Sequence, residues 1–94
     1  MTPQWVVKAH PSFSKDLARL SSNDLRTFYK KKDKIRRNPE RGKHLSGGIN
    51  CYREPITSNI RLIYAIKGNT IQLLTIGKHD EAYKNYLKRF FSLE

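Results

Sequence analysis

The runs "IRLIYAIK" (60–67) and "TIQLLTIGK" (70–78) are rich in β-branched and aromatic residues, and only Gly68 and Asn69 separate them. Two β-prone runs with a two-residue link fit an antiparallel hairpin, and glycine and asparagine accept the positive φ of its tight turn cheaply. Parallel pairing needs a crossover of about a dozen residues or more. A third run, "INCYREPIT" (49–57), comes before the hairpin, and Pro55 demotes it toward an edge or a bulge because proline brings no N–H to a ladder. A tight, regular turn sets Arg61 across from Ile76. His79 then points away from the face of Arg61, and Gly77 must bend or bulge the chain for the two to converge.

The first half has other periods. "QWVVKAH" (4–10) is a short β-prone run between Pro3 and Pro11. "SFSKDLARL" (12–20) reads as a helix with Phe13, Leu17 and Leu20 on one stripe. Ser21, followed three residues later by Asp24, resembles an N-cap with an acidic first turn. The helix it opens, "NDLRTFYKKKDKIRRN", has Leu25, Phe28, Lys32 and Ile35 along its inner stripe and stops at Pro39. "PERGKHLSGG" reads as a loop. From Asp80, a possible N-cap, to about Phe91 the chain is helical again, with Tyr83, Leu87 and Phe90 as its apolar stripe. The order is β-α-α-β-β-β-α in one domain, 1–94. That is an α+β class: a small antiparallel sheet, an N-terminal helical hairpin and a C-terminal helix, with helices on one side and the other side open to solvent or a ligand.

Charge narrows the function classes. Nineteen Lys and Arg against eight Asp and Glu give +11 on 94 residues. Solubility usually needs a net charge of only about 2–8 on a small domain. The excess favours polyanions, an acidic protein partner, or both. The single cysteine, Cys51, allows neither an intrachain disulfide nor a paired-cysteine zinc site, which fits a reducing compartment. No apolar run approaches the roughly 20 residues that span a bilayer, and no signal segment is evident at the start, so the expectation is a cytoplasmic protein with no membrane partner. No phosphate-binding glycine loop and no metal-binding carboxylate cluster is present, so no cofactor and no metal is expected. A nuclease of this kind would be metal-independent, using the 2′-OH of its substrate as nucleophile, hence acting on RNA.

Several residues suit such chemistry. The run Arg26, Lys30, Lys31, Lys32, Lys34, Arg36, Arg37, Arg41, Lys43 is diluted only by Asp33 and Glu40. A charge run on a helix is usually a solvated face, but this density favours phosphate contact, with Lys30, Lys31, Lys34, Arg36, Arg37 and Lys43 as RNA-binding candidates. Arg61 sits inside an apolar strand, where its head must stay wet or find an anion. Arg53 is on the neighbouring strand, and alternation sends Arg53 and Glu54 to opposite faces. His79 can transfer a proton near neutral pH, and Tyr83 can orient it, stack on a base or contact phosphate; both can equally be packing at a helix start. His44 is a further proton-transfer candidate if its loop folds over the sheet.

With "HLSGG", "CYREPITSNIRLIYAI" and "LLTIGKHDEAY" in place, the chain resembles the RelE/ParE superfamily of toxins from type II toxin–antitoxin systems, over nearly its whole length. The resemblance implies a RelE-like fold and, in the ribosome-dependent branch, cleavage of messenger RNA in the ribosomal A site. Arg61 then stabilises the scissile phosphate, and Arg53 falls where RelE has a functional lysine. His79 falls where YafQ-like and YoeB-like members place a catalytic histidine, with Tyr83 at the aromatic position after it. His44 aligns with a further histidine of the YafQ-like members. Pro55 replaces a second lysine of RelE, and the Gly77–Tyr83 turn is two residues shorter than in RelE. His44, Glu54 or His79 could each be the general base. The implied partners are an acidic antitoxin, the ribosome and mRNA. The alternatives are a ParE-like, non-enzymatic poison of DNA gyrase and an inactive nucleic-acid-binding module of the same fold.

Overall fold

The computed structural model describes residues 5–45 and 50–91, apart from the side chains of His79 and Asn85; the Ser-Gly-Gly of "HLSGG" lies outside the described residues. Strand β4 (Ile60–Lys67) and strand β5 (Thr70–Lys78) form the expected hairpin. Lys67 pairs with Thr70, and the turn uses positive φ at Gly68 alone, at 59°. The register holds back to Tyr64 opposite Leu73, then slips by one, so that Ile63 faces Thr75 and Arg61 faces Gly77. The expected pairing of Arg61 with Ile76 is therefore wrong by one residue. The bulge is at Leu74, three residues before Gly77. Leu74 and Thr75 both serve the same side of the sheet: Leu74 joins the core against the last helix, and Thr75 Oγ1 donates to Ala82 O on it, at 3.2 Å.

Strand β3 (Cys51–Pro55) pairs antiparallel with β4, and its register is regular despite Pro55. Proline sits at the strand end, beyond the reach of the two-residue strand β2 (Lys43–His44), which pairs only with Arg53 and Tyr52. The segment read as a loop thus contains an edge strand. Strand β1 (Val6–Ala9) lies parallel to β5 on the other edge, giving the order β1-β5-β4-β3-β2. The sheet is mixed, not purely antiparallel, because two helices stand between β1 and the rest and return the chain to the far side of β5.

Helix α1 (Phe13–Ala18) and helix α2 (Ser22–Arg37) form the expected hairpin, and the Ser21 hydroxyl accepts the Asp24 N–H at 3.1 Å as the α2 cap. Phe13, Phe28 and Ile35 bury against Ile60, Leu62, Tyr64 and Ile76 on one face of the sheet. Burying such a side chain fully is worth about 1.5–3 kcal/mol. Helix α3 (His79–Phe91) covers the other face, packing Ala82 and Tyr86 on Cys51, Ile63, Ala65 and Leu74. Helices on both faces replace the expected one-sided arrangement. α3 begins at His79, so Asp80 belongs to its first turn and is not the cap. Its buried stripe is Ala82 and Tyr86, flanked by Tyr83 and Phe90, while Leu87 is exposed. None of the helices among the described residues is long and apolar enough to cross a membrane.

Candidate active site

Alternation along the sheet sorts the polar residues. Cys51, Ile63 and Ala65 face α3. Arg53 and Arg61 share that face, with Arg53 opposite Ile63 and Arg61 one diagonal step away. Lys43, opposite Arg53, joins them from β2. Arg53 Nη1 donates to Tyr83 Oη of α3 at 2.8 Å. Arg61 Nη1 donates to three carbonyls around the β3–β4 turn: Thr57 O at 2.7 Å, Ile60 O at 3.2 Å and Ser58 O at 3.3 Å. Both guanidiniums are half-buried, so each is held by the protein and still reaches solvent. Arg41, Lys43, Arg53 and Arg61 line one open cleft of about 300 Å³, with Gly42, Glu54 and Pro55 among its walls.

His44 stands elsewhere, whereas Glu54, from the other face of the sheet, also lines the cleft. His44 faces Tyr52 across the β2–β3 pair and meets its ring edge-on at 5.0 Å, on the sheet face turned away from Arg53 and Arg61. Glu54 is buried on that same face, between Lys31 Nζ at 3.9 Å and Arg41 Nε at 3.7 Å. Its carboxylate serves to position Arg41. Lys31, one of the RNA-binding candidates, spends its charge partly on this pair, whereas Lys30, Lys34, Arg36, Arg37 and Lys43 are exposed. His79 opens α3, four residues before Tyr83, and its side chain lies outside the described residues.

Arg41 is the cleft residue that sequence reasoning missed as part of the site. It belongs to the basic run, but nothing local says where a Gly-containing turn will lay it. Gly42 is the signal. A Cβ there would lie 2.5 Å from Tyr64 Oη and 3.0 Å from Arg53 O, so the turn rests directly on the sheet. The Tyr64 phenol donates to Pro39 O at 2.6 Å and anchors the same turn. Burial, aided by the Glu54 carboxylate, pushes the Tyr64 phenol far above the ordinary tyrosine value, against the pull of the Gly42 N–H. The cleft offers four cations to an anion, with the Glu54 carboxylate in its wall and the Tyr83 phenol held on Arg53. A second cavity, of about 400 Å³ beside β5, mixes Asp16, Asp24 and Glu81 with Arg19 and Lys78. Among the described residues no group of acidic, histidine and cysteine side chains could hold a metal.

Against known families, residues 7–83 match the model of the ParE toxin of the type II toxin–antitoxin system parDE. The chain belongs to this ParE toxin family. Its place in the RelE/ParE superfamily, and hence its standing as a toxin of a type II system, follows. A search of curated proteins found no match. Solved structures share the fold. A double mutant of the Escherichia coli toxin RelE in the free state is 22% identical with a TM-score of 0.78, the match covering 92% of this toxin and 97% of that chain. The Mycobacterium tuberculosis toxin–antitoxin complex RelBE2 gives 20% identity and a TM-score of 0.72, over 84% and 95% of the two chains. The Staphylococcus aureus YoeB dimer gives 16% and 0.68, over 81% and 98%.

Proposed function

We propose that this toxin is a ribosome-dependent endoribonuclease that cuts messenger RNA in the A site without a metal. The observation that carries the reading is the placement of Arg53 and Arg61 at one cleft rich in cations, with the Tyr83 phenol bound to Arg53. The substrate's 2′-OH attacks the adjacent phosphate in line. Arg61 and Arg53 stabilise the charge that builds on the phosphate oxygens. His79, as imidazolium, protonates the departing 5′-oxygen, and Tyr83 steadies the phosphate or a neighbouring base. The product end is a 2′,3′-cyclic or 3′-phosphate. Lys30, Lys34, Arg36, Arg37 and Lys43 hold the RNA backbone. A net charge of +11 draws an acidic antitoxin as the neutralising partner, in keeping with similar folds seen as RelE–RelB and YoeB–YefM complexes.

A second reading is favoured by the name of the matching family: a ParE-like, non-enzymatic gyrase poison. One paired assay separates them. Purified toxin is added to programmed ribosomes and to naked RNA, with His79→Ala and Arg61→Ala beside it, and separately to gyrase in a supercoiling assay. Cleavage only on the ribosome, lost in both variants, is the expected result. Intact message in every tube with inhibited supercoiling would replace the first reading by the second.

A further inference from the structure

The guanidinium of Arg61 is the group on which the proposed reaction leans most, and it is not aimed by the strand that carries it. A strand side chain stands roughly perpendicular to its sheet. Here Nη1 turns back to the β3–β4 connection and takes the carbonyls of Thr57, Ser58 and Ile60. Those oxygens do not point at Arg61 by chance. The Thr57 hydroxyl accepts the N–H of Asn59 at 3.2 Å and the N–H of Ile60 at 3.1 Å. A trans peptide is planar, with its N–H and C=O opposed. Turning the Asn59 N–H inward onto the Thr57 hydroxyl therefore turns the Ser58 C=O outward, to where Arg61 finds it. The Ile56 and Thr57 N–H groups close the same turn on Ile60 O, at 2.9 and 3.3 Å, which fixes a second acceptor, and Thr57 O, the nearest at 2.7 Å, lies in the turn so closed.

We infer that Thr57 is a positioning residue: its hydroxyl closes the turn whose carbonyls hold one nitrogen of Arg61, leaving the rest of the fork for a phosphate. The inference deepens the nuclease reading and rests on it for its link to catalysis. Its physical content is separate, because the Thr57 hydroxyl acts on Arg61 whether or not RNA is cut. Serine keeps the hydroxyl, whereas valine keeps the shape and loses both hydrogen bonds. Guanidinium rotation slows when one Nη is pinned, so Arg61 is expected to give distinct side-chain signals in ¹⁵N-labelled protein.

The test compares wild type, Thr57→Val and Thr57→Ser by ¹⁵N NMR of the arginine side chains, with Arg61→Ala for assignment, and by cleavage kinetics on programmed ribosomes. The expected result is that Thr57→Val averages the Arg61 signals and lowers kcat by about 10- to 100-fold with KM little changed, as for a misplaced catalytic group. Thr57→Ser is expected to restore both. Arg61 signals unchanged in Thr57→Val, or Thr57→Ser as defective as Thr57→Val, would overturn the inference. Wild-type toxin that cuts nothing sinks the nuclease reading alone, and the NMR comparison still decides whether Thr57 holds Arg61.

Discussion

Arg53 and Tyr83 come from a strand and a helix 30 positions apart in the chain, and the 2.8 Å bond between them joins the cleft to α3. The bond has one charged partner and is partly exposed, so its net worth is on the order of 1 kcal/mol. Arg53→Ala and Tyr83→Phe are each expected to slow cleavage. The double variant should fall short of the product of the two effects by about fivefold, a coupling of about 1 kcal/mol. Strict additivity in a double-mutant cycle on the ribosome would show that the phenol acts independently of Arg53. The residues of this pair were legible in the sequence, because alternation alone puts Arg53 on the face opposite Glu54. Their bond was not, since it depends on how α3 lies on the sheet. His44 shows the limit at this scale. Its side of the sheet follows from the pairing of Lys43 with Arg53, and that two-residue strand has no period to read. Arg41 was hidden for a similar reason: only the close approach of Gly42 to Tyr64 and β3 fixes where it goes.

At the scale of elements, what holds α3 against α1 was invisible in any local pattern. β1 pairs with β5 only as far as Leu73, and beyond it the outer edge of β5 is bare of a strand. Asp16 of α1 takes the Ile76 N–H at 3.3 Å on that edge, and Arg89 of α3 donates to Leu74 O at 2.9 Å. Arg89 Nη1 and Asp16 Oδ2 meet at 2.5 Å, with both side chains mostly buried. The pair therefore joins helices from opposite faces around an unfinished strand edge, where backbone groups need partners. Arg89→Leu is expected to cost about 3 kcal/mol, because it leaves the Asp16 carboxylate buried without its cation. Adding Asp16→Asn should recover a good part of that, measured by urea unfolding. A loss under about 1 kcal/mol for Arg89→Leu would demote the pair to a surface contact. The hairpin, its turn, the capped α2 and the helix–helix–sheet order were readable because each is written in short-range periodicity. The Leu74 bulge was not: "LLTI" is apolar enough for either register, and only the competing demands of the two buried faces choose one. The parallel placement of β1 and the sidedness of α3 are likewise long-range decisions.

For the whole molecule, stability and charge respond to solution conditions in ways that can be assigned. Burial pushes the Cys51 thiol from 9.0 up to about 11, and Tyr64 and Tyr86 are raised by burial as well. The unfolded chain gives up the Cys51 proton first. Its contribution to folding is therefore whole below about pH 9 and is lost as the pH rises through about 11. The thermal midpoint is expected to decline over that window, less steeply in Cys51→Ala; an identical decline would assign it elsewhere. The charge argument reaches function. The cations fall into two groups. Arg41, Arg53 and Arg61 are tied into the cleft by protein partners, whereas Lys30, Lys34 and Arg37 stand exposed on α2. Under the proposed nuclease reading, the tied cations would act on the reacting phosphate and the exposed ones on binding, through release of counterions. Replacing Lys30, Lys34 and Arg37 together by alanine should weaken ribosome binding and flatten its log–log salt dependence by about 2–3, since each phosphate contact contributes about 0.7–0.9. The cleavage rate of the bound complex should stay as it is. Arg61→Ala should do the reverse, stopping cleavage while changing the salt slope by no more than about one. A triple variant with unaltered slope would place the RNA on another face, and a triple variant that bound normally but cut slowly would mean that α2 helps to align the message.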